Sequence, residues 1–369
     1  MKRTVFFEKN KSLGAKMVDF SGWEMPIQYT SITEEHNAVR NAAGIFDISH
    51  MGQVYVTGPD AKTFLQYILT NDLDKANAGE GIYSHILNDS GGVVDDIFVY
   101  CLEENRYLVI DNASRRDEDL QWIAEHKENL NVKINEDLQA AGLAIQGPES
   151  ISLFNSLLDE PIQLERFEIA KLEVKNRFPL VSRTGYTGED GLEIFGHPED
   201  LVQIWDWLFE AGKELGLKPC GLGARDTLRT EVAYPLYGHE LDKDHTPFEA
   251  GFGWVVKLDK GKFIGRDALI KKKSEGFKTR LLGFKVEGGG IARPGAKIIK
   301  DGVEAGVVTS GTFSPTLGYP IGMAYLPAVT PAEGTRLKIL QGARELTAKT
   351  VKMPFYVKPK FPETKEVLK

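Results

Sequence analysis

Asn88-Asp-Ser-Gly-Gly-Val-Val-Asp-Asp-Ile-Phe-Val-Tyr100 is a dense turn signal that runs straight into an apolar, β-branched strand carrying two carboxylates. Side chains alternate along a strand, so Val94, Asp96, Phe98 and Tyr100 are expected on one face and Val93, Asp95, Ile97 and Val99 on the other. One carboxylate then faces each side, and a carboxylate on a core face costs free energy unless it is hydrogen-bonded, paired or protonated. Asp95 and Asp96 are therefore a candidate acid/base site, beside a turn tight enough to bring backbone close to a ligand. The alternative is local: either Asp caps the turn by accepting backbone N–H bonds.

Residues 107–110 read as a second strand closed by Asp111 and Asn112, and a hairpin of these two strands brings Asn112 beside Asp96. Residues 114–129 carry Leu120, Trp122 and Ile123 at helical spacing. The order strand, turn, strand, helix indicates an α+β domain with an antiparallel sheet. Upstream, residues 79–87 form a short strand leading into the turn, residues 60–70 a helix, and residues 45–56 an extended run broken by S-H-M-G. The first thirty residues read as loop, with Phe20, Trp23 and Tyr29 around Gly14 and Gly22, and Thr33 opens a helix to Arg40.

A second module begins at Leu143. The I-Q-G-P-E-S run at residues 145–150 turns into a helix with Pro148 near its first turn, and residues 172–183 read as a strand. That strand ends in R-T-G-Y-T-G-E-D-G, where Gly185, Gly188 and Gly191 make a loop whose backbone can approach a ligand, with Tyr186 inside it. Glu193 points away from Leu192 and Ile194, either into a site or to solvent. A long helix follows over residues 198–217. Gly221-x-Gly223 is not a dinucleotide fingerprint, because its third glycine position holds Asp226. It reads instead as a turn into a helix on which Arg225 and Arg229 share a face, to bind an anionic group or to make structural salt bridges. Beyond residue 276, short extended runs alternate with Gly, Pro and Asp turns, as in a small all-β barrel.

The 369 residues are enough for two or three domains, and 42% apolar with 27% charged residues is ordinary for a globular protein. A formal net charge of −8 argues against nucleic-acid binding, and no apolar run reaches membrane-spanning length. Cys101 and Cys220 stand alone and the seven histidines are scattered, so neither a disulfide framework nor a metal site is indicated. With no secretory leader pattern, a reducing cytoplasm is the expected compartment. Residues 257–280 hold nine Lys or Arg against three acids, including Lys271, Lys272 and Lys273. This is a solvated surface or a docking face for an acidic partner.

G-A-K-M-V-D-F-S-G-W-E-M-P, F-D-I-S-H-M-G, S-G-G-V-V-D-D, R-T-G-Y-T-G-E-D-G, G-L-G-A-R-D-T-L-R and S-G-T-F-S-P-T-L-G occur in this order between Phe6 and Tyr356. Together they resemble the glycine cleavage T-protein (aminomethyltransferase) family. The resemblance implies an α+β fold, a three-domain cloverleaf of two interleaved α+β domains with antiparallel sheets plus a C-terminal β-barrel that completes a central folate channel. The implied domains are residues 1–52 plus 137–275, an inserted unit at 53–136, and 276–369. The implied reaction takes the aminomethyl group on the lipoyl arm of H-protein to tetrahydrofolate, within the glycine cleavage complex, without metal or flavin. Asp96 aligns with the family's essential carboxylate. Tyr83, Asn112, Tyr186, Glu193 and Arg225 resemble the folate-contacting groups, and Met51, Val94, Phe98, Tyr100 and Trp254 are further wall residues. Lys358 or Lys360 stands where the family's tail arginines meet the folate glutamate. The related flavin-bearing oxidases add a flavin domain, for which neither the length nor a dinucleotide fingerprint is found in these residues, and the iron–sulfur-assembly relatives carry a cysteine motif where R-T-G-Y-T-G-E stands here. A folate-binding scaffold without chemistry is the remaining alternative.

Overall fold

The computed structural model describes residues 1–358. A five-stranded antiparallel sheet holds the opening motif, in the order Gly81–Leu87, Val93–Glu103, Arg106–Asp111, Gly52–Thr57 and Lys133–Glu136. Helices Ala61–Ile68 and Arg116–Glu125 cover one face of it, burying Phe64, Leu65 and Ile123 against Val56, Val99 and Val109. The second sheet has six strands in the order Ile169–Lys171, Leu180–Ser182, Gly191–Gly196, Ala141–Gln146, Gly44–Asp47 and Lys218–Pro219, the last pair parallel. Helices Ser150–Asn155 and Pro198–Ala211 bury Phe154, Trp205 and Leu208 on its outer side. Tyr100, Leu108 and Ile110 of the first sheet pack with Phe46, Ala144 and Phe195 of the second, so the two sheets share an apolar seam.

Six strands from Thr279–Glu287 to Arg344–Val351 close into an antiparallel barrel. One of them, Tyr319–Pro327, opens Y-P-I-G-M-A, with Pro and Gly where a strand is ordinarily free of them. Within the first thirty residues, expected as loop, Lys16–Phe20 and Trp23–Gln28 form a hairpin. Its two-residue turn is Ser21-Gly22, with φ of 50° and 82°, the positive-φ pair that suits the twist of a tight hairpin. The following helix is Ile32–Asn41, and its cap is Ser31, whose hydroxyl accepts from Glu34 N at 3.2 Å, rather than Thr33.

Ladder register alters the face assignment at the opening strand. A bulge at Val94, where Asp95 pairs with Ile86 and Val93 with the next residue Leu87, leaves Val94 unopposed. Val94 therefore packs with Ile97 and Val99 under the helices, not with Asp96. Asp96, Phe98 and Tyr100 keep their expected common side. Asn88 caps the turn before them, its Oδ1 accepting from Ser90 N and Gly92 N at 3.0 Å each, which leaves both aspartates free of that task. Gly92 is required: a Cβ there would stand 1.8 Å from the Lys243 carbonyl oxygen.

Candidate active site

A cavity of about 580 Å³ opens where the two sheets and the segment after helix Leu222–Glu231 meet. Its wall includes Asp96, Asn112, Tyr83, Phe98, Met51, Tyr186, Glu193, Arg225 and Trp254. Two expected wall residues do not reach it. Val94 lies in the helix-covered core for the reason given above. Tyr100 is fully buried behind the wall, because Phe98 stacks over it with centroids 4.7 Å apart. Among the described residues the barrel strands supply no side chain to the cavity, while Lys358, just beyond them, stands at the rim. Lys360 lies outside the described residues.

The carboxylate end is built by three strands. Asn112 Nδ2 donates to Asp95 Oδ1 and to Asp96 Oδ1, each at 3.0 Å, and Asn112 N donates to Asp95 Oδ2 at 3.2 Å. Tyr83 Oη donates to Asp96 Oδ2 at 2.8 Å. Burial, with the Asp95 charge beside it, pushes the Asp96 carboxyl up to about 7, while Tyr83 and Asn112 draw it back. Asp119, buried beneath Asp95 on helix Arg116–Glu125, is pushed up to about 11 by burial and by Asp95, so it is neutral at pH 7. Asp95 thus has a protonated neighbour, and Asp96 is the carboxylate of the set that faces the cavity.

Glu193 and Arg225 make a second charged part of the same wall. Thr184 Oγ1 donates to Glu193 Oε2 at 2.7 Å, and the Thr184 hydroxyl meets Tyr100 Oη at 2.9 Å, which accepts from Ser182 Oγ at 2.8 Å. Tyr100 therefore orients Glu193 through Thr184. Arg225 stacks on Tyr186 with its guanidinium carbon 4.7 Å from the ring centroid. Burial lowers the Arg225 guanidinium and raises the Glu193 carboxyl, each offset by the other's charge. Helix spacing had also offered Arg229, but it turns to Glu240 at 2.8 Å and Asp226 at 2.7 Å, a structural role. Trp254, 55% exposed, stacks on Tyr83 at the mouth.

His50, Phe252 and Thr184 also reach this wall without having been singled out from the sequence. His50 and Thr184 sit inside the quoted S-H-M-G and R-T-G-Y runs, which was the available signal. Burial, with Arg225 and Arg116 nearby, holds the His50 imidazole down to about 3, so it is neutral. Among the described residues no group of three or more His, Cys, Asp or Glu side chains could hold a metal ion, and no helix is long and apolar enough to cross a membrane.

Fold and pocket together define a small-molecule enzyme in which two packed α+β sheets enclose a site walled by a hydrogen-bonded carboxylate, Asp96, and by the charged side chains of Glu193 and Arg225. The GCVT N-terminal domain model matches residues 6–260, and the glycine cleavage T-protein C-terminal barrel domain model matches residues 279–356. The aminomethyltransferase of Halothermothrix orenii is 45% identical over 96% of this chain and all of its own, and that of Bacillus subtilis 45% identical over 96% and 99%. The crystal structure of glycine cleavage system aminomethyltransferase T from Bartonella henselae superposes with a TM-score of 0.90 at 30% identity, covering 96% of this chain and 98% of that one. The chain belongs to the glycine cleavage T-protein family, and its activity is that of a tetrahydrofolate-dependent aminomethyltransferase.

Proposed function

We propose that the cavity binds tetrahydrofolate with its pterin toward Glu193 and its reacting amines toward Asp96. A single Glu can accept the two parallel N–H donors that a pterin edge presents, and Thr184 leaves one Glu193 oxygen uncommitted. Arg225 would hold an anionic group of the folate, with Met51, Phe98, Tyr186 and Trp254 as apolar walls. The partner is lipoylated H-protein, whose aminomethyl carbon leaves sulfur and nitrogen and bonds the two folate amines. The protons those amines lose end on the dihydrolipoyl sulfur and on ammonia, giving 5,10-methylenetetrahydrofolate. The observation that carries this reading is Asp96, half-buried in the cavity wall, held by Tyr83 and Asn112, and poised near pH 7 to take and return a proton.

Single-turnover ammonia release from aminomethyl-loaded H-protein tests it. Release should be fast only with tetrahydrofolate present; tight folate binding without folate-dependent release would make the protein a scaffold. Replacing Arg225 by Ala should weaken tetrahydrofolate about 30-fold or more in a fluorescence titration, the cost of removing a charged partner from a desolvated site.

Lys358 Nζ pairs with Glu189 Oε2 at 3.1 Å at the rim, so it would have to exchange this partner to meet a folate glutamate. Lys271, Lys272 and Lys273 lie on helix Arg266–Glu275, where we place an electrostatic contact for the carrier. Reversing all three charges should lower affinity for H-protein about tenfold at low salt and flatten its salt dependence. Unchanged affinity and slope in calorimetry at two salt concentrations would remove this helix from the interface.

A further inference from the structure

His85 is directly opposite Asp96 in the antiparallel ladder, is fully buried, and belongs to none of the roles above. Its Nε2 lies 3.4 Å from Tyr83 Oη, the hydroxyl that contacts Asp96 Oδ2 at 2.8 Å. The ring packs edge-on against Tyr83 and beside Phe252, with centroids 5.5 and 6.1 Å away. Its Nδ1 is buried without any partner.

That last observation favours the tautomer with its proton on Nε2. Burial keeps the imidazole neutral, so one ring nitrogen bears the proton and the other accepts. A proton on Nδ1 would strand a buried donor, whereas a proton on Nε2 leaves only an unused acceptor and gives Tyr83 a hydrogen bond. Tyr83 Oη then accepts from His85, and its own O–H has a single destination, the Asp96 carboxylate. We propose that His85 is a positioning residue for the transfer reaction, acting through a directed relay from His85 Nε2–H to Tyr83 Oη–H to Asp96 Oδ2. Tyr83 accordingly serves the folate with the face of its ring and serves Asp96 with its hydroxyl.

The relay works on the proton affinity of Asp96, since donors to a carboxylate favour its ionised form. Asp95 on its own strand raises that affinity, and Asp119 and Asp111, each pushed up by burial and by Asp95, stand behind it. Asn112 from the Arg106–Asp111 strand end and Tyr83 lower it, and Tyr186 with Arg225 faces Asp96 across the cavity. His85 acts on this balance through the Tyr83 hydroxyl, without touching the carboxylate itself. The inference rests on Asp96 as the reacting carboxylate, and the test separates the two.

The experiment is 13C NMR titration of the full chain labelled at the aspartate carboxyl carbons, with the Asp96 signal assigned by its loss in Asp96→Asn. Tyr83→Phe should raise the Asp96 midpoint by about one unit, tenfold in proton affinity. His85→Phe and His85→Leu, read side by side so that a folding failure in one does not remove the comparison, should raise it by about 0.3 unit, or twofold. His85→Gln, which restores an N–H donor, should return it toward the parent value. The pH midpoint of single-turnover transfer should move in parallel. An Asp96 midpoint unmoved in the His85 variants, or the same in His85→Gln as in His85→Phe, overturns the relay. Persistence of turnover in Asp96→Asn overturns instead the role of Asp96, while the NMR shifts still decide whether the relay exists.

Discussion

Asp96→Asn is expected to slow folate-dependent ammonia release about 10³-fold in single turnover while tetrahydrofolate affinity changes by less than about threefold. The rate loss is the usual scale for removing a positioned acid or base, and the side chain is isosteric, so the cavity keeps its shape. The same variant should gain stability. Folding lifts the Asp96 carboxyl from the ordinary 3.8 to about 7, so the folded chain holds a proton that the unfolded chain has released across that window. Folding stability therefore falls as pH rises between about 4 and 7, and the neutral amide escapes this loss, a gain of the order of 2–4 kcal/mol at pH 7.5. Thermal melts of both chains at pH 4 and pH 7.5 check it: the asparagine variant should melt higher at pH 7.5, with the difference shrinking at pH 4. A variant that is both inactive and less stable at pH 7.5 would mean that Asp96 is structural.

Glu231→Ala should destabilise the fold by about 3–5 kcal/mol in urea unfolding, because it strands the buried donors of Ser314 and Thr316 and removes one of the two carboxylates, Glu231 and Glu189, that pair with the Arg40 guanidinium. Glu231 is fully buried at the end of helix Leu222–Glu231 and pairs with Arg40 Nη2 at 2.8 Å. It accepts from Ser314 Oγ, from Thr316 N at 3.1 Å and from Thr316 Oγ1 at 2.8 Å, and its Oε1 is 3.3 Å from His36 Nε2. One carboxylate thus joins helix Ile32–Asn41 to the barrel loop S-P-T. Although burial opposes ionisation, His36, Ser314 and Arg40 hold the carboxyl at about 2, below its ordinary 4.5. The sign is that of a depressed acid: its contribution is complete above about pH 4.5 and is lost as pH falls through 2. The parent and Glu231→Gln chains should therefore differ by several kcal/mol at pH 7 and by much less at pH 2.5.

What the sequence disclosed follows the range of the interactions involved. The antiparallel hairpin, the helices and the β character of the C-terminal region rest on local periodicity and turn residues, and all of these appear. Asp96 was legible because a carboxylate between Val94 and Phe98 contradicts its own pattern. The bulge that removes Val94 from the wall depends on pairing with Ile86 and Leu87, and no periodicity within the strand itself carries that information. Tyr100 shares the right face, but whether it lines the cavity or supports Thr184 depends on Phe98 stacking over it and on a strand more than eighty residues later. His85 looked like any strand residue, since its significance lies in what stands opposite it. The Ser21-Gly22 hairpin was readable in principle, but its strands mix Lys, Asp and Glu with apolar residues and their alternation is faint.

Because the barrel meets the rest of the enzyme through buried groups such as Arg229 on Ser310 and Glu231 on Ser314, its outer surface is insulated from the chemistry. Substitutions on that surface should leave turnover unaltered, whereas a change at either serine should give a temperature-sensitive allele whose folate pocket is normal at the permissive temperature. The barrel is accordingly where this enzyme can diversify, and the two serines mark the limit of that freedom.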